Sequence, residues 1–278
     1  MPIKVITDST SDLAPSVAAE LGITVVPLNV HFGDETYRDG IDIGVDEFFE
    51  RLVSSDSLPK TSQPSVGDFL KFYEEAGSGS DGIVSIHIPA KLSGTYNSAI
   101  NAAKEYQGSP VEVIDTGTVS IGLGLCAIIA ARVAQAGGSQ QEVADAARSA
   151  AQRMHVFFYL ETLHYLEKGG RIGKAQAFLG SLLHIRPVLF CRDGEVHPLD
   201  KARTRAKAMA RVVKAVSDLG DIEEAGVMHT TAPEDAELLA QEIRGIGGND
   251  LNIITGRIGP VVGTYAGPGT VGTAVLVR

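Results

Sequence analysis

IKVITDSTSDLAPSVAAELGITVVPLNVHF, residues 3–32, passes from an apolar strand through a helix to a second apolar strand within about 30 residues. The first strand is expected at 3–7. The polar cluster Asp8-Ser9-Thr10-Ser11-Asp12 behind it supplies capping side chains for a helix expected at 15–21. The second strand is expected at 24–32. Strand, helix and strand in so short a span form a βαβ unit, which favours a parallel sheet.

The pattern continues outward. Residues 33–42 read as a turn or hairpin. Helices are expected at 46–54, 67–76, 95–106, 119–136 and 140–153, with strands at 82–88 and 111–115. Up to about residue 153 the chain reads as a doubly wound, mostly parallel, Rossmann-like α/β lobe. The texture then changes. Strands at 185–191 and 195–199 flank the hairpin signal Asp193-Gly194. A strand at 156–160, a short helix at 161–168 and a glycine–basic loop at 168–174 precede them. A helix at 204–219, a strand at 224–230, a helix at 233–243 and strands at 251–257 and 273–277 follow. This is a second α/β lobe with a mixed sheet. The expected division is 1–153 and 154–278, the two making one unit with a ligand near their interface.

Composition narrows the function classes. A net charge of −10 argues against a general nucleic-acid binder, which needs a basic face to displace counterions. Cys126 and Cys191 have no paired spacing and read as buried small hydrophobes, so nothing asks for an oxidising compartment. The opening MPIKVITDST is too soon polar for a signal peptide. The longest apolar stretch, 119–131, is broken by Ser120 and two glycines and falls short of the roughly 20 residues of a membrane span. A cytoplasmic monomer without stable membrane insertion is expected. The histidines at 31, 87, 155, 164, 184, 197 and 229 form no HExxH or HxH, so no metal is expected. There is no Walker loop, no GxGxxG after the first strand and no GxSxG elbow.

Four clusters carry candidate chemistry. Residues 8–12 sit at the carboxyl end of the first strand, where open α/β sheets bind ligands, and equally suit a plain helix cap. Thr61-Ser62-Gln63-Pro64-Ser65 places hydroxyls before a helix with Pro64 suited to its first position; capping alone and capping with anion contact both fit. Ser93 in Leu92-Ser93-Gly94-Thr95 opens another helix, where a carboxylate would find donors and Gly94 would let backbone come close. The glycine run 259–272 is either a backbone-lined pocket wall or a structural double turn. Basic residues gather at Lys168, Arg171 and Lys174, and at Lys201, Arg203, Arg205 and Lys207, either as solvated surface or as a docking face for an acidic partner or phosphate.

Together these motifs resemble the DegV family of bacterial fatty-acid-binding proteins. The likeness runs through DSTSDL (8–13), TSQPS (61–65), LSGTYNSA (92–99), VIDT (113–116), YLEKGGRIG (165–173), RPVL (186–189), GEVHPLDKARTR (194–205) and GPVVGTYAGPGTVG (259–272). It implies a two-lobed α/β carrier without catalytic power of its own, enclosing one long-chain fatty acid and needing no cofactor. It implies carboxylate contacts from Thr61 and Ser93, with Ser62, Gly94, Thr95 and Tyr265 around them. It further implies a partner, an ATP-dependent fatty acid kinase subunit that forms the acyl phosphate for phospholipid synthesis, with Arg171 and Arg203 at the docking face. Where this chain has Tyr265, family members often carry histidine. Tyrosine donates a hydrogen bond but gains no positive charge near neutral pH, so binding is expected here without a charge role at that position.

Physics supports a carrier. Burying about 15 methylenes contributes on the order of 12 kcal/mol gross, less the ordering cost. A carboxylate left without donors would cost several kcal/mol. The competing reading is an acyl or phosphoryl transferase using Ser93 or the 259–272 run, which predicts turnover by the isolated chain.

Overall fold

The computed structural model describes residues 2–55, 57–180 and 185–278; His184 of the histidine set lies outside the described residues. In chain order, the first half runs β1 (Ile3–Asp8), α1 (Pro15–Leu21), β2 (Ile23–Val26), β3 (Asn29–Phe32), β4 (Glu35–Arg38), α2 (Val45–Ser54) and β5 (Lys60–Ser62). It continues with α3 (Val66–Gly77), β6 (Gly82–His87), α4 (Thr95–Glu105), β7 (Val111–Asp115), α5 (Ile121–Gln135) and α6 (Gln140–Arg153). The second half runs β8 (Met154–Tyr159), α7 (His164–Lys168), β9 (Arg186–Arg192), β10 (Glu195–Ala202), α8 (Arg205–Ser217) and β11 (Ile222–His229). It ends with α9 (Pro233–Gly247), β12 (Ile253–Arg257), α10 (Pro260–Ala266) and β13 (Val271–Val277).

β2-β1-β6-β7 form an all-parallel sheet, as the opening βαβ unit implies. The single strand expected at 24–32 is in fact two. Pro27 lacks an N–H for the ladder, so β2 ends before it, and β3 leaves to pair antiparallel with β4 and β5 in a separate small sheet. The second half is a mixed sheet in the order β10-β9-β8-β13-β11-β12, in which β11 and β12 are parallel and the other neighbours antiparallel. The β9–β10 hairpin turns on Asp193 and Gly194, both at positive φ (52° and 72°), the primed turn that this pair signals.

Two local expectations change. Pro64 does not open a helix: Ser65 caps α3, with Asp68 closing a capping box, and the hydroxyls before it sit on β5, where Thr61 pairs with Val30. The 259–272 run is neither turn nor coil throughout, because Gly259-Pro260 starts α10 and Gly267, at φ 73°, ends it.

α5 joins the halves. Leu123, Leu125, Cys126 and Ala127 have no exposed surface, and one continuous core runs from Val84, Ile86 and Ile114 through this helix to Val156, Met228, Ala274 and Leu276 of the mixed sheet. Close approach needs small residues: a Cβ on Gly124 would lie 2.8 Å from the Ser11 carbonyl oxygen. Cys126 and Cys191 are buried free thiols, and burial pushes both up to about 12.

Candidate functional site

Between α5, the mixed sheet and α10 lies a cavity whose wall is almost wholly apolar. Ile88, Ile121, Val156, Phe158, Met228, Ile258 and Val261 are among its lining residues. Its volume is about 120 Å³. That is little for a wall of 23 residues, and it suits a slender ligand rather than a globular one.

The hydroxyls around the cavity fall into two groups. Along the wall, each hydrogen is spent on a protein acceptor. Thr10 donates to Asp8, Ser120 to Asp12 at 2.5 Å, Thr270 to the Ala266 carbonyl at 2.8 Å and Thr273 to the Gly226 carbonyl at 2.8 Å. At one end, hydroxyls meet hydroxyls: Thr61 Oγ1 lies 2.5 Å from Tyr265 Oη, and Ser93 Oγ lies 2.8 Å from Thr95 Oγ1. Such a pair holds two hydrogens and uses one between its oxygens, leaving one to donate elsewhere. This end therefore presents two spare O–H donors while the rest of the wall presents none from these hydroxyls. An acceptor-only group such as a carboxylate is the chemical complement.

Arg171 partitions this end from the outside. Its Nε donates to the Leu92 carbonyl at 3.1 Å and Nη1 to the Gly169 carbonyl at 2.8 Å, and its guanidinium lies 4.9 Å from the Tyr265 ring centroid. It lines both the cavity and an outer cleft that also holds Lys60, His164, Lys168, Thr61 and Tyr265.

Of the residues expected at a site, Thr61, Ser93, Tyr265 and Arg171 all line the cavity, and Arg171 links the Thr61–Tyr265 pair to Leu92, the neighbour of Ser93. Thr95 is buried behind Ser93 as its partner. Ser62 is not at the cavity: adjacent strand residues face opposite ways, and its hydroxyl meets His31 Nε2 at 2.9 Å instead. Gly94 caps α4 and makes room for Gln63, whose amide a Cβ there would meet at 2.7 Å. Arg203 is exposed just before α8 and does not line the cavity.

Sequence reasoning also missed a buried polar string. Tyr73 Oη donates to Ser85 Oγ at 3.0 Å, Ser85 Oγ lies 2.6 Å from His87 Nε2, and His87 Nδ1 lies 2.9 Å from Asp8 Oδ2. A Ser–His–Asp geometry so placed resembles a hydrolytic triad, but all four side chains have no exposed surface and none lines the cavity. Ser93, which does line it, has Thr95 rather than a base as its partner. The DST motif at 8–10 was the available signal, since its Asp8 anchors both this string and the wall hydroxyl of Thr10.

The family model described as the DegV family matches residues 2–278. The chain belongs to the DegV family. It is 39% identical over 279 residues to a DegV domain-containing protein of Streptomyces coelicolor, covering 99% of each chain. The fold matches a fatty-acid-binding DegV family protein from Thermus thermophilus with a TM-score of 0.94 at 35% identity, over 100% of both chains. It matches the fatty-acid-binding DegV of Bacillus subtilis with a TM-score of 0.91 at 30% identity, again over 100% of both. A stearic-acid-binding protein from Eubacterium ventriosum matches with a TM-score of 0.89 at 26% identity, over 99% of this chain and 98% of that one. The structural neighbours of this DegV chain are thus fatty-acid-binding proteins. Among the described residues no helix is long and apolar enough to cross a membrane, and no cluster of histidine, cysteine and carboxylate side chains could hold a metal.

Proposed function

We propose that this chain encloses one long-chain fatty acid, with its acyl chain along the apolar wall and its carboxylate between the Thr61–Tyr265 and Ser93–Thr95 pairs. The observation that carries this reading is the contrast between spent and spare hydroxyl hydrogens, which marks one end of an apolar cavity for a carboxylate. The binding of fatty acids by structural neighbours of the same fold supports it. The role is that of a carrier, which presents the carboxylate through the outer cleft to an ATP-dependent kinase subunit. The basic groups Lys60, Lys168 and Arg171 at that cleft suit an incoming phosphoryl group.

The test is denaturing mass spectrometry of organic extract from the purified protein beside Ser93→Ala. The parent is expected to carry near-stoichiometric long-chain fatty acid. Ser93→Ala strands the remaining hydroxyl on buried Thr95 and is expected to weaken binding about thirtyfold or more, the cost of a hydrogen bond to a charged group. A parent that is empty and also refuses added oleate overturns the reading.

A further inference from the structure

α10 closes the carboxylate end of the cavity, which Val261, Val262, Tyr265 and Ala266 all line. The helix is only 7 residues long, and its first turn is gripped by two carboxylates from distant parts of the chain. Asp12 accepts from the Gly259 N–H at 2.8 Å, and Asp39 accepts from the Val261 N–H. Pro260, between them, has no N–H to offer. The two acids meet under one residue: a Cβ on Gly259 would lie 3.1 Å from Asp12 Oδ1 and 3.4 Å from Asp39 Oδ1. Ser120 and Ser9 supply their other donors.

The charges around the pair add to the cost of ionising it. Asp8, from β1, raises both, and its own partner is His87 on β6. Arg257, on the strand leading into Gly259, turns away to Asp46 of α2 at 2.9 Å and to the Thr230 carbonyl. The Arg171 guanidinium lies over the Tyr265 ring at 4.9 Å, and the remaining contacts on α10 are uncharged: Phe48 and Phe49 beneath Gly263, Tyr165 of α7 beneath Gly267, and Thr61 of β5.

We propose that Asp12 and Asp39 are positioning residues that hold α10, and with it Tyr265, against the ligand while at least one of them carries a proton, and that loss of that proton to solvent loosens the helix and lets the ligand leave. The inference rests on reading the cavity as a fatty-acid site. The Gly259 and Val261 N–H groups favour the ionised acids, but burial outweighs them: with both acids ionised, two like charges sit poorly hydrated under one turn with Asp8 nearby, and releasing the turn to solvent relieves that cost. Burial pushes Asp12 up to about 8 and Asp39 up to about 7, which places the change just above neutral pH.

The test loads the protein with oleate and follows its transfer to excess albumin between pH 6.5 and 9.5, for the parent, Asp12→Asn and Asp39→Asn. The parent's off-rate is expected to rise about tenfold between pH 7 and 9, while the Asn variants, which keep an acceptor for the same N–H, change less than about twofold. Titration of the bound carboxylate itself would persist in both variants, so it is separable. Ser120→Gly, which suits the φ of 57° there, removes a donor to Asp12 and is expected to move the rise to higher pH. Hydrogen exchange of the 261–267 amides in ligand-free protein reads the clasp without any fatty acid. Protection there is expected to fall over the same window in the parent and hold in Asp12→Asn. A flat profile in the parent, or an equal rise in the Asn variants, overturns the proposal. An empty protein with a pH-dependent α10 would overturn the ligand reading alone.

Discussion

α5 and α10 wall the same cavity, but α10 adds ionisable side chains under its first turn to the apolar packing that holds it. α5 has 15 residues and is buried nearly all round by apolar neighbours from both sheets. α10 has 7 residues, and beside its apolar contacts with Phe48, Phe49 and Tyr165 it is held by the Asp12 and Asp39 carboxyls, one hydroxyl contact and a ring under Arg171. Apolar packing is non-directional and indifferent to pH, so it makes a permanent wall. Hydrogen bonds to a few ionisable groups are local and titrate, so they make a wall that yields before the fold does. The contrast is sharpest when each helix is damaged by its own means. Leu125→Ala, in the middle of α5 and without exposed surface, is expected to cost about 2–5 kcal/mol in urea unfolding, by lost transfer energy and the cavity left behind. That loss should be the same at pH 6 and pH 9; a loss that varies with pH would remove the distinction between the two helices.

The carboxylates under α10 predict the reverse behaviour. An ordinary aspartate titrates near 3.8, whereas Asp12 and Asp39 hold their protons to about 8 and about 7 in the fold. Between those values the folded chain binds more protons than the unfolded one, so stability falls as pH rises. The contribution is complete below about pH 4 and gone above about pH 8. Asp12 is only partly buried by its surface, so about 1–3 kcal/mol is expected from the pair between pH 5 and 9. Urea midpoints at the two pH values measure it, and Asp12→Asn should remove much of the slope.

The same contrast explains what was legible in the sequence. α5 shows itself as a run of apolar residues, and the βαβ units, the mixed sheet and the Asp193-Gly194 hairpin follow from periodicity and turn chemistry, which are properties of neighbours in the chain. α10 was hidden, because seven residues between glycines are too few for a period to register. Thr61 and Ser93 stood out as hydroxyls in clusters, and the family resemblance set Thr95 and Tyr265 around them, but the pairing of Thr61 with Tyr265 was not legible. Tyr265 is 204 residues from Thr61, and Gly259 is 247 from Asp12. Ser62 was expected beside Thr61 at the site, and β5 assigns the two opposite faces. Only the fold makes the separation between spent and spare hydrogens, since it depends on which acceptor each hydroxyl finds.

The smallest effects concern the Thr61–Tyr265 pair. Either hydroxyl alone still lines the cavity and still has a hydrogen to give, so Thr61→Ala and Tyr265→Phe are each expected to weaken oleate binding only about threefold. Tyr265→Phe also keeps the ring under Arg171. The double variant has no donor left on that side and should lose about thirtyfold or more, well beyond the product of the single losses, because the carboxylate then faces an apolar wall. Ser93→Ala should resemble the double variant and not the single ones, since its partner Thr95 is buried behind it and does not line the cavity. Oleate titrations of the four variants complete the cycle. Additive losses for Thr61 and Tyr265 would mean that each hydroxyl donates separately to the ligand and that the 2.5 Å contact between them opens when the cavity is filled.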